Sequence, residues 1–209
     1  NIAGISAVVE AVQKITSVGA KVQAITDCLC FGNPEKAEQM GDFVACVNGI
    51  KEACNKLGDN NHPVPIVAGN VSLYNESKNG AIPASPMISA VGSVNKNQVI
   101  RPDFVEPHQV VIMLGERQRS LGGSLWYAKN NIKDVNLANY DLDKLKSMNK
   151  AILDLVSENN IAAMKSINLG GIASCLAMMC FKNNIGCDLN LGPQCSDGFA
   201  IDEWLFSEA

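Results

Sequence analysis

The sequence is poor in histidine and carries no excess of positive charge. Lys and Arg number 17 against 21 Asp and Glu, which gives a formal net charge of −4. Nucleic acids and anionic membranes are bound by clustered positive charge, so neither is expected as a partner. His62 and His108 are the only histidines, and no Cys-x-x-Cys pair occurs. The ligand set of a structural zinc site, about four residues at paired spacing, is therefore missing.

Long apolar runs and several common catalytic motifs are also missing. The longest apolar runs, such as residues 110–114 and 161–164, are far shorter than the roughly 20 residues of a membrane-spanning helix. No GxxxxGK(S/T) phosphate loop, nucleophile elbow, protein-kinase motif or HExxH zinc motif occurs. Walker-type ATPases and the other enzyme classes that depend on these motifs are therefore excluded.

The residues that are present suffice for a packed core. Of the 209 residues, 47% are hydrophobic and 18% are charged, which excludes disorder and predicts one large domain or two small ones. Cysteines in apolar stretches behave as small hydrophobic residues, so we expect free thiols. The sequence shows no signal-peptide pattern, so we expect a reducing cytosol. Because the chain begins without Met, we expect it to be cut from a longer polypeptide. The eight cysteines are Cys28, Cys30, Cys46, Cys54, Cys175, Cys180, Cys187 and Cys195.

Alternating helix and strand patterns predict an α/β or α+β fold. The first 80 residues alternate helix, strand, helix, strand, and each strand ends in polar residues. The composition shifts near residues 82–86, so we place a domain boundary there, with domains at 1–84 and 85–209. The predicted helices comprise residues 2–15, 43–57, 142–158 and 172–180, and the predicted strands comprise residues 22–26, 64–68, 87–94, 109–114 and 161–164.

The end of the first strand carries a carboxylate followed by a glycine loop. Asp27 lies where the apolar strand gives way to residues 28–34, which include Gly32 and Pro34. A carboxylate at such a point can reach Mg²⁺ or a nucleotide, because Mg²⁺ prefers a few hard oxygens together with phosphate. It can equally cap the loop by accepting hydrogen bonds from nearby amides. The residues alone favour the capping role.

The end of the second strand carries a second polar cluster. Gly69 permits close backbone approach to a ligand. Asn70 and Ser72 are two residues apart, so they share one side if the strand continues, and they offer an amide oxygen and a hydroxyl to one point. The alternative is a polar turn whose side chains bond its own backbone. A third candidate, Gly170 with Gly171 at a helix start, suits either a phosphate or tight helix packing.

Two long motifs in this order are highly specific. ITDCLCFGNPEK at residues 25–36 and GNVSLYNE at residues 69–76 closely resemble TDCLNFGNPEK and GNVSLYNE of the phosphoribosylformylglycinamidine synthase family, PurL. Residues 82–92, LGGS at 121–124 and LFSE at 205–208 extend the similarity over essentially the whole chain. The resemblance implies a PurM-like fold: part of an ATP-binding-type N-terminal domain, then a C-terminal-type domain with a mixed sheet and flanking helices, truncated at its end.

The resemblance implies an ATP-dependent C–N ligase of purine biosynthesis. ATP activates the formamide oxygen of formylglycinamide ribonucleotide, and ammonia from a glutaminase partner displaces phosphate to give the amidine. The implied cofactors are ATP and Mg²⁺, and the implied partners are the PurQ glutaminase and PurS. By residue matching, Asp27 and Gly69 contact ATP, Asn70 binds Mg²⁺ and Ser72 contacts substrate. The family's catalytic histidine matches no residue here, so we expect the chain alone to be inactive.

Three departures from the family pattern bear on function. Cys30 stands where the family usually has Asn. The family's HDxSDGG appears as KSINLGG at residues 165–171, which keeps the glycines and loses both carboxylates. Large relatives hold magnesium at an auxiliary nucleotide site with that Asp and with an Asn one helical turn after a Glu; here Glu10 remains and Lys14 replaces the Asn. Because a cation repels Mg²⁺, we expect this auxiliary site to be empty or altered.

Two other interpretations stay open. The departures at Lys14 and at residues 165–171 are compatible with a degenerate, non-catalytic structural or assembly segment of such an enzyme. Another PurM-like ATP-dependent enzyme, such as an aminoimidazole ribonucleotide synthetase, is the third, although those relatives lack GNVSLYNE. Retained Mg-ATP binding separates the first interpretation from the second, and an assay of the complete gene product separates it from the third.

Overall fold

The chain divides into two compact units. The computed structural model describes residues 1–59, 62–133, 136–137, 139–158, 160–191, 198 and 200–208. Unit 1 comprises Asn1–Asn97 and Asp141–Leu153, and unit 2 comprises Gln98–Tyr140 and Asp154–Ala209. The domain boundary expected at residues 84 and 85 falls directly before a strand that belongs to the sheet of unit 1. Among the described residues, no helix is long and apolar enough to cross a bilayer.

Helices and strands alternate at the start of the chain, as the sequence predicts. The elements are α1 (Ile2–Ser17), β1 (Lys21–Cys30), α2 (Ala37–Leu57), β2 (Ile66–Ser72), β3 (Glu76–Ser77), β4 (Gly80–Ala81), β5 (Ser85–Ser93), a 3₁₀ turn (Lys96–Gln98), α3 (Leu125–Lys129), α4 (Leu142–Ser157), α5 (Gly171–Phe181) and α6 (Ile201–Phe206).

Unit 1 contains a mixed three-stranded sheet in the order β2-β1-β5. β1 and β2 run parallel, whereas β5 runs antiparallel to β1. The register places Asp27 beside Gly69 and Cys28 beside Asn70 on β2, and Cys28 opposite Met87 on β5. Because β2 pairs only with β1 among the described residues, its outer edge carries no strand there.

Two helices cover one face of this sheet. α1 packs against β1 and β5, and α2 packs beside α1. The two helices approach closely because glycines stand at their contact: a Cβ at Gly4 would overlap the carbonyl of Cys46, and one at Gly49 would overlap the carbonyl of Asn1. The opposite face of the sheet carries Met87, which is half exposed. One face of the sheet therefore forms the core of unit 1 and the other is open.

Unit 2 is built around α5. This helix follows Gly170 and buries Ile172, Cys175, Leu176 and Met179 against Phe104 and Trp204. The sequence also predicts strands at residues 109–114 and 161–164, and both predictions are wrong. A strand needs a hydrogen-bonded neighbour, and the described part of unit 2 offers only one isolated bridge, between Arg101 and Ala163. Val110 and Ile112 are instead 86% and 75% exposed.

Glu208 joins three sequence motifs of unit 2. Its carboxylate accepts hydrogen bonds from the backbone amides of Leu125 and Gly170, each at 2.8 Å. Gly171, with φ of +65°, lies so close to the backbone of Leu205 and Phe206 that a Cβ would overlap both. The amides at Gly170 and Gly171 are thus paired within the chain, the latter with the Asn168 carbonyl at 2.8 Å. Gly171 thus serves close packing, and the amides of the two glycines are engaged within the chain.

Candidate functional site

The carboxylate of Asp27 lies against the bare backbone of Gly69. The two residues are register neighbours inside the parallel strands β1 and β2. The sequence predicts that the strands end before Asp27 and Gly69, but pairing continues to Cys30 and Ser72. A Cβ built at Gly69 would overlap Asp27 Oδ1, so only glycine leaves room for the carboxylate in this position. Gly69 does permit close approach, as the sequence predicts, but the group that approaches it is the Asp27 side chain of the protein itself. Asp27 thereby becomes reachable across β2 from the outer edge of the sheet.

Asp27 also lines a cleft on the helix-covered side of the sheet. The cleft has a volume of about 280 Å³ and lies between β1, α2 and the segment leading into β2. Lys51, a residue that the sequence interpretation did not select, adds a second charged group to its lining. No motif marks this lysine, and only the helical spacing of α2 could have placed it on this side. The other lining residues are Leu29, Val47, Ile50, Cys54, Asn55, Pro63, Val64, Pro65 and Ile66.

Burial, with a smaller contribution from the nearby negative charge of Asp27, raises the pKa of the Cys54 thiol to about 11. Cys54 is only 3% exposed, so its thiolate has almost no access to water. The thiol stays neutral at physiological pH and acts as an apolar wall of the cleft beneath Asp27. Cys54 is therefore inert toward oxidants and metals at that pH.

The pKa of Cys54 predicts a pH-dependent stability. In the unfolded chain the thiol ionises near its ordinary pKa of 9.0, whereas in the folded chain it retains its proton up to about 11. The free energy of unfolding should therefore fall by about 2 to 3 kcal/mol between pH 9 and pH 11 through this one group. Denaturant titrations of wild type, Cys54→Val and Cys54→Ser at pH 8, 9, 10 and 11 measure the effect. Parallel pH dependence in all three proteins would contradict it.

Asn70 projects from the opposite, open face of the sheet. Its Nδ2 donates to Cys28 Sγ at 3.6 Å, so Oδ1 is the amide atom left to act as a ligand. Ser72 shares this face because β2 continues through it and pairs it with Cys30. The structure thus confirms that Asn70 and Ser72 lie on the same side. It separates both from Asp27, which lies on the helix-covered side.

The hydroxyl of Ser72 is held by the turn that follows it. Asn75 Nδ2 donates to Ser72 Oγ at 3.0 Å and to the Phe31 carbonyl at 3.0 Å. Asn75 was not selected from the sequence, although its place in GNVSLYNE was the available signal. The turn therefore fixes the orientation of the Ser72 side chain, and a ligand of Ser72 would have to compete with Asn75 or share the hydroxyl with it.

The two long motifs are bound to each other through side chains. Lys36 Nζ lies 2.8 Å from Glu76 Oε1, and Tyr74 donates from its hydroxyl to Glu35 at 3.2 Å. The hydrogen bond from Lys36 lowers the pKa of the Glu76 carboxyl, and the backbone amide of Asn33 adds to this. The charged ends of both motifs thus hold the loop after β1 against the turn after β2. Residues 25–36 and 69–76 form one local structure, as a shared site requires.

Glu10 and Lys14 form an exposed ion pair on α1, at the position of the expected auxiliary site. Lys14 Nζ lies 2.6 Å from Glu10 Oε1. The lysine ammonium lies beside the carboxylate that a metal would need, and its positive charge disfavours a second cation there. Residues 165–171 belong to unit 2 and present Asn168, whose Nδ2 donates to Ser166 Oγ at 2.9 Å.

The main site fits a metal that is shared with phosphate, not a metal held by protein ligands alone. The described residues contain no group of three or more His, Cys, Asp or Glu side chains that could hold an ion. Asn70 Oδ1 is a hard oxygen at the open edge, and Mg²⁺ often takes only one or two protein ligands and completes its shell with phosphate and water. The donor set around Asn70 is compatible with Mg²⁺ bound in that way.

Comparison with known proteins matches nearly the whole chain. A family model described as AIR synthase related protein, N-terminal domain, matches residues 1–94, and the corresponding C-terminal domain model matches residues 106–208. The phosphoribosylformylglycinamidine synthase subunit PurL of Methanothrix thermoacetophila is 36% identical, with 99% of this chain and 27% of the relative covered. PurL of Pelagibacter ubique is 34% identical, with 96% of this chain and 27% of the relative covered.

A solved structure shows the same fold. T. maritima PurL complexed with FGAR superimposes with a TM-score of 0.67 at 19% identity, covering 87% of this chain and 28% of that chain. The chain spans about 27% of the length of the curated relatives named above. Its mixed sheet with flanking helices and its two matched domain models agree with the PurM-like fold that the motifs predict. The chain belongs to the AIR synthase related protein family, and the resemblance of its motifs to PurL is confirmed by these relatives.

Proposed function

We propose that this chain forms one wall of the ATP and substrate site of a phosphoribosylformylglycinamidine synthase. The reaction joins ammonia to formylglycinamide ribonucleotide and consumes ATP, with formylglycinamidine ribonucleotide, ADP and phosphate as products. In this proposal Asp27 and Gly69 contact ATP, Asn70 binds Mg²⁺ and Ser72 contacts the ribonucleotide. The activity belongs to the complete gene product, and this chain contributes binding groups to it.

The observation that carries the proposal is the contact of the Asp27 carboxylate with the backbone of Gly69 on β2, a strand whose outer edge is unpaired among the described residues. Asp27 and Asn70 lie on opposite faces of the sheet, so a single ligand can reach both only at that edge. Because Gly69 has no side chain, a nucleotide lying along β2 can touch the Asp27 carboxylate on one side and Asn70 on the other. The cleft beside Asp27 offers mainly apolar walls, which suit the flat base of a nucleotide.

The residues of this chain act by binding and orientation. The Asp27 carboxylate accepts hydrogen bonds from hydroxyl or amino groups of the nucleotide, and the Gly69 backbone allows the ligand to approach. Asn75 holds the Ser72 hydroxyl toward the open face. When bound, Mg²⁺ supplies positive charge that stabilises the transferring phosphoryl group. The pairing of Lys36 with Glu76 keeps the two binding loops together.

The proposal also includes the partner subunits and the cellular location of the enzyme. Ammonia comes from a glutaminase partner, PurQ, and PurS completes the assembly. The location is the cytosol, where the cysteines stay reduced; the described cysteines are all free thiols. The ion pair between Glu10 and Lys14 supports a single nucleotide site, since a lysine charge at the auxiliary position on α1 disfavours a metal ion.

The proposal is tested by turnover in the complete gene product. With ammonium chloride as the nitrogen source, we expect ADP release that requires formylglycinamide ribonucleotide, and mass spectrometry should detect the amidine product. Asn70→Ala should lower kcat/KM by at least about tenfold, the loss expected for one metal ligand or charged hydrogen bond. Lys56→Ala, which removes an exposed ion pair with Asp143, serves as the control and should leave turnover unchanged.

If the chain is instead a degenerate, non-catalytic segment, the same turnover assay gives different results. The ion pair at Lys14 is the observation that favours it, because a lysine stands there in place of the Asn of the family pattern and pairs with Glu10. In that case the complete gene product makes amidine at the same rate with Asn70→Ala as without it. An aminoimidazole ribonucleotide synthetase would instead close its own amidine substrate to a ring and release ADP without ammonia.

A further inference from the structure

Cys28 and Cys30 place two thiols side by side on the open face of the sheet. They are two residues apart on β1, so their side chains point to the same side. The two Sγ atoms lie 4.0 Å apart. Both cysteines are partly exposed, and both are free thiols. The pair exists because Cys30 stands where a PurL sequence usually has Asn.

The sulfur separation suits a shared metal ion. Two metal–sulfur bonds of about 2.3 Å hold their sulfurs about 3.8 Å apart at a tetrahedral angle and about 4.6 Å apart in a linear arrangement. The observed 4.0 Å lies within this range, so an ion could enter without movement of the strand. A disulfide needs about 2.05 Å between sulfurs. The extended strand keeps the two Cα atoms about 6.6 Å apart, near the upper limit for a disulfide.

The number of ligands indicates which ion fits. The part of the chain that the structure describes contains no third His, Cys, Asp or Glu grouped with these thiols. Asn70 is the polar neighbour, with Nδ2 at 3.6 Å from Cys28 Sγ, and an amide is a poor ligand for soft ions. Zn²⁺ requires four ligands for a stable site, whereas monovalent copper accepts thiolates at low coordination number.

We propose that Cys28 and Cys30 form a two-thiolate site for Cu⁺. Binding forms two copper–sulfur bonds and releases the two thiol protons to solvent, and copper keeps its +1 oxidation state throughout. The site differs from the nucleotide site in its ligands and stands independently of the proposed enzymatic function. Because Cys28 is the register neighbour of Asn70, the bound ion would lie on the same face of the sheet as Asn70.

An anaerobic competition titration tests this site. The chain is titrated with Cu⁺ in the presence of a chromogenic Cu⁺ chelator, and no nucleotide is present. We expect wild type to hold one Cu⁺ at least about 100-fold more tightly than Cys30→Asn, because the second thiolate of a chelating pair binds at high effective concentration. Cys28→Ser should give the same loss. Cys187→Ser, which removes an exposed thiol, should behave as wild type.

Two results would overturn the proposal. Equal Cu⁺ affinity in wild type and Cys30→Asn would show that the pair is not the site, and circular dichroism of each variant establishes that it is folded. A parallel titration with Zn²⁺ against a zinc indicator should give much weaker binding. Zn²⁺ binding that is tighter than Cu⁺ binding and lost in Cys30→Asn would contradict the assignment of the site to Cu⁺.

Discussion

Replacing Phe31 with alanine should lower the free energy of unfolding by about 3 to 5 kcal/mol, the usual cost of deleting a buried aromatic side chain. Phe31 is 1% exposed and meets Phe43 edge to face, with ring centroids 5.2 Å apart. Its backbone also connects the motifs, since its amide donates to the Ser72 carbonyl at 2.9 Å and its carbonyl accepts from the Asn75 amide at 3.1 Å. The cavity left by the ring would weaken the contact between the loop after β1 and the turn after β2.

Denaturant unfolding followed by far-ultraviolet circular dichroism measures this loss. Phe181→Ala is the matched control, because Phe181 is 75% exposed and its removal should change stability by no more than about 0.5 kcal/mol. If the two substitutions cost the same, Phe31 does not anchor the loop and the packing described for unit 1 is wrong.

Replacing Gly69 with alanine should weaken Mg-ATP binding by about 10- to 100-fold. The added methyl group would occupy the position of Asp27 Oδ1 and force the carboxylate away from the edge of β2. The loss corresponds to one hydrogen bond to a charged group, about 1.5 to 3 kcal/mol, at about 1.4 kcal/mol for each factor of ten. The folded state should persist, because Gly69 is exposed on an edge strand.

Gly41→Ala is the control for this substitution. A Cβ at Gly41 meets no atom within 4 Å, and the residue lies in α2, where alanine is the better helix former. This variant should bind Mg-ATP as wild type does and be slightly more stable. Unchanged nucleotide affinity in Gly69→Ala would remove Asp27 and Gly69 from the proposed site.

The first half of the fold follows from local patterns. The apolar spacing in residues 2–15 and 43–57 predicts helices, and the short apolar runs before Asp27 and Gly69 predict strands. All four form, although both strands continue past their predicted ends, to Cys30 and Ser72. These elements are specified by residues close in sequence. The predicted helix at residues 142–158 also forms, as Leu142–Ser157, because one long amphipathic face defines it.

The second half depends on pairing that a local pattern does not contain. Residues 109–114 are as apolar as a buried strand, yet a strand exists only with a neighbour, and the neighbour is set by distant residues. The link from Glu208 to Leu125 and Gly170 was also missed. The LGGS, double-glycine and LFSE motifs are each visible in the sequence. They are tens of residues apart, however, and their spacing does not indicate that Glu208 accepts from the amides of Leu125 and Gly170.

For the candidate site, too, local spacing predicts some features, whereas others depend on the pairing of distant residues. The two-residue spacing of Asn70 and Ser72 correctly placed them on one side, since it depends only on strand geometry. Whether Asp27 shares that side depends on the register between β1 and β2, including the irregularity between Ile25 and Thr26. Sequence spacing therefore identified the candidate oxygen donors, but it did not show that Asp27 lies on the opposite face of the sheet from Asn70 and Ser72.

Calorimetric titration of the complete gene product with Mg-ATP, alongside its Asn70→Ala variant, tests the central claim most directly. We predict one nucleotide site, with binding that the substitution weakens at least about tenfold. Binding that Asn70→Ala leaves unchanged would show that the polar end of β2 is not the nucleotide site of this protein.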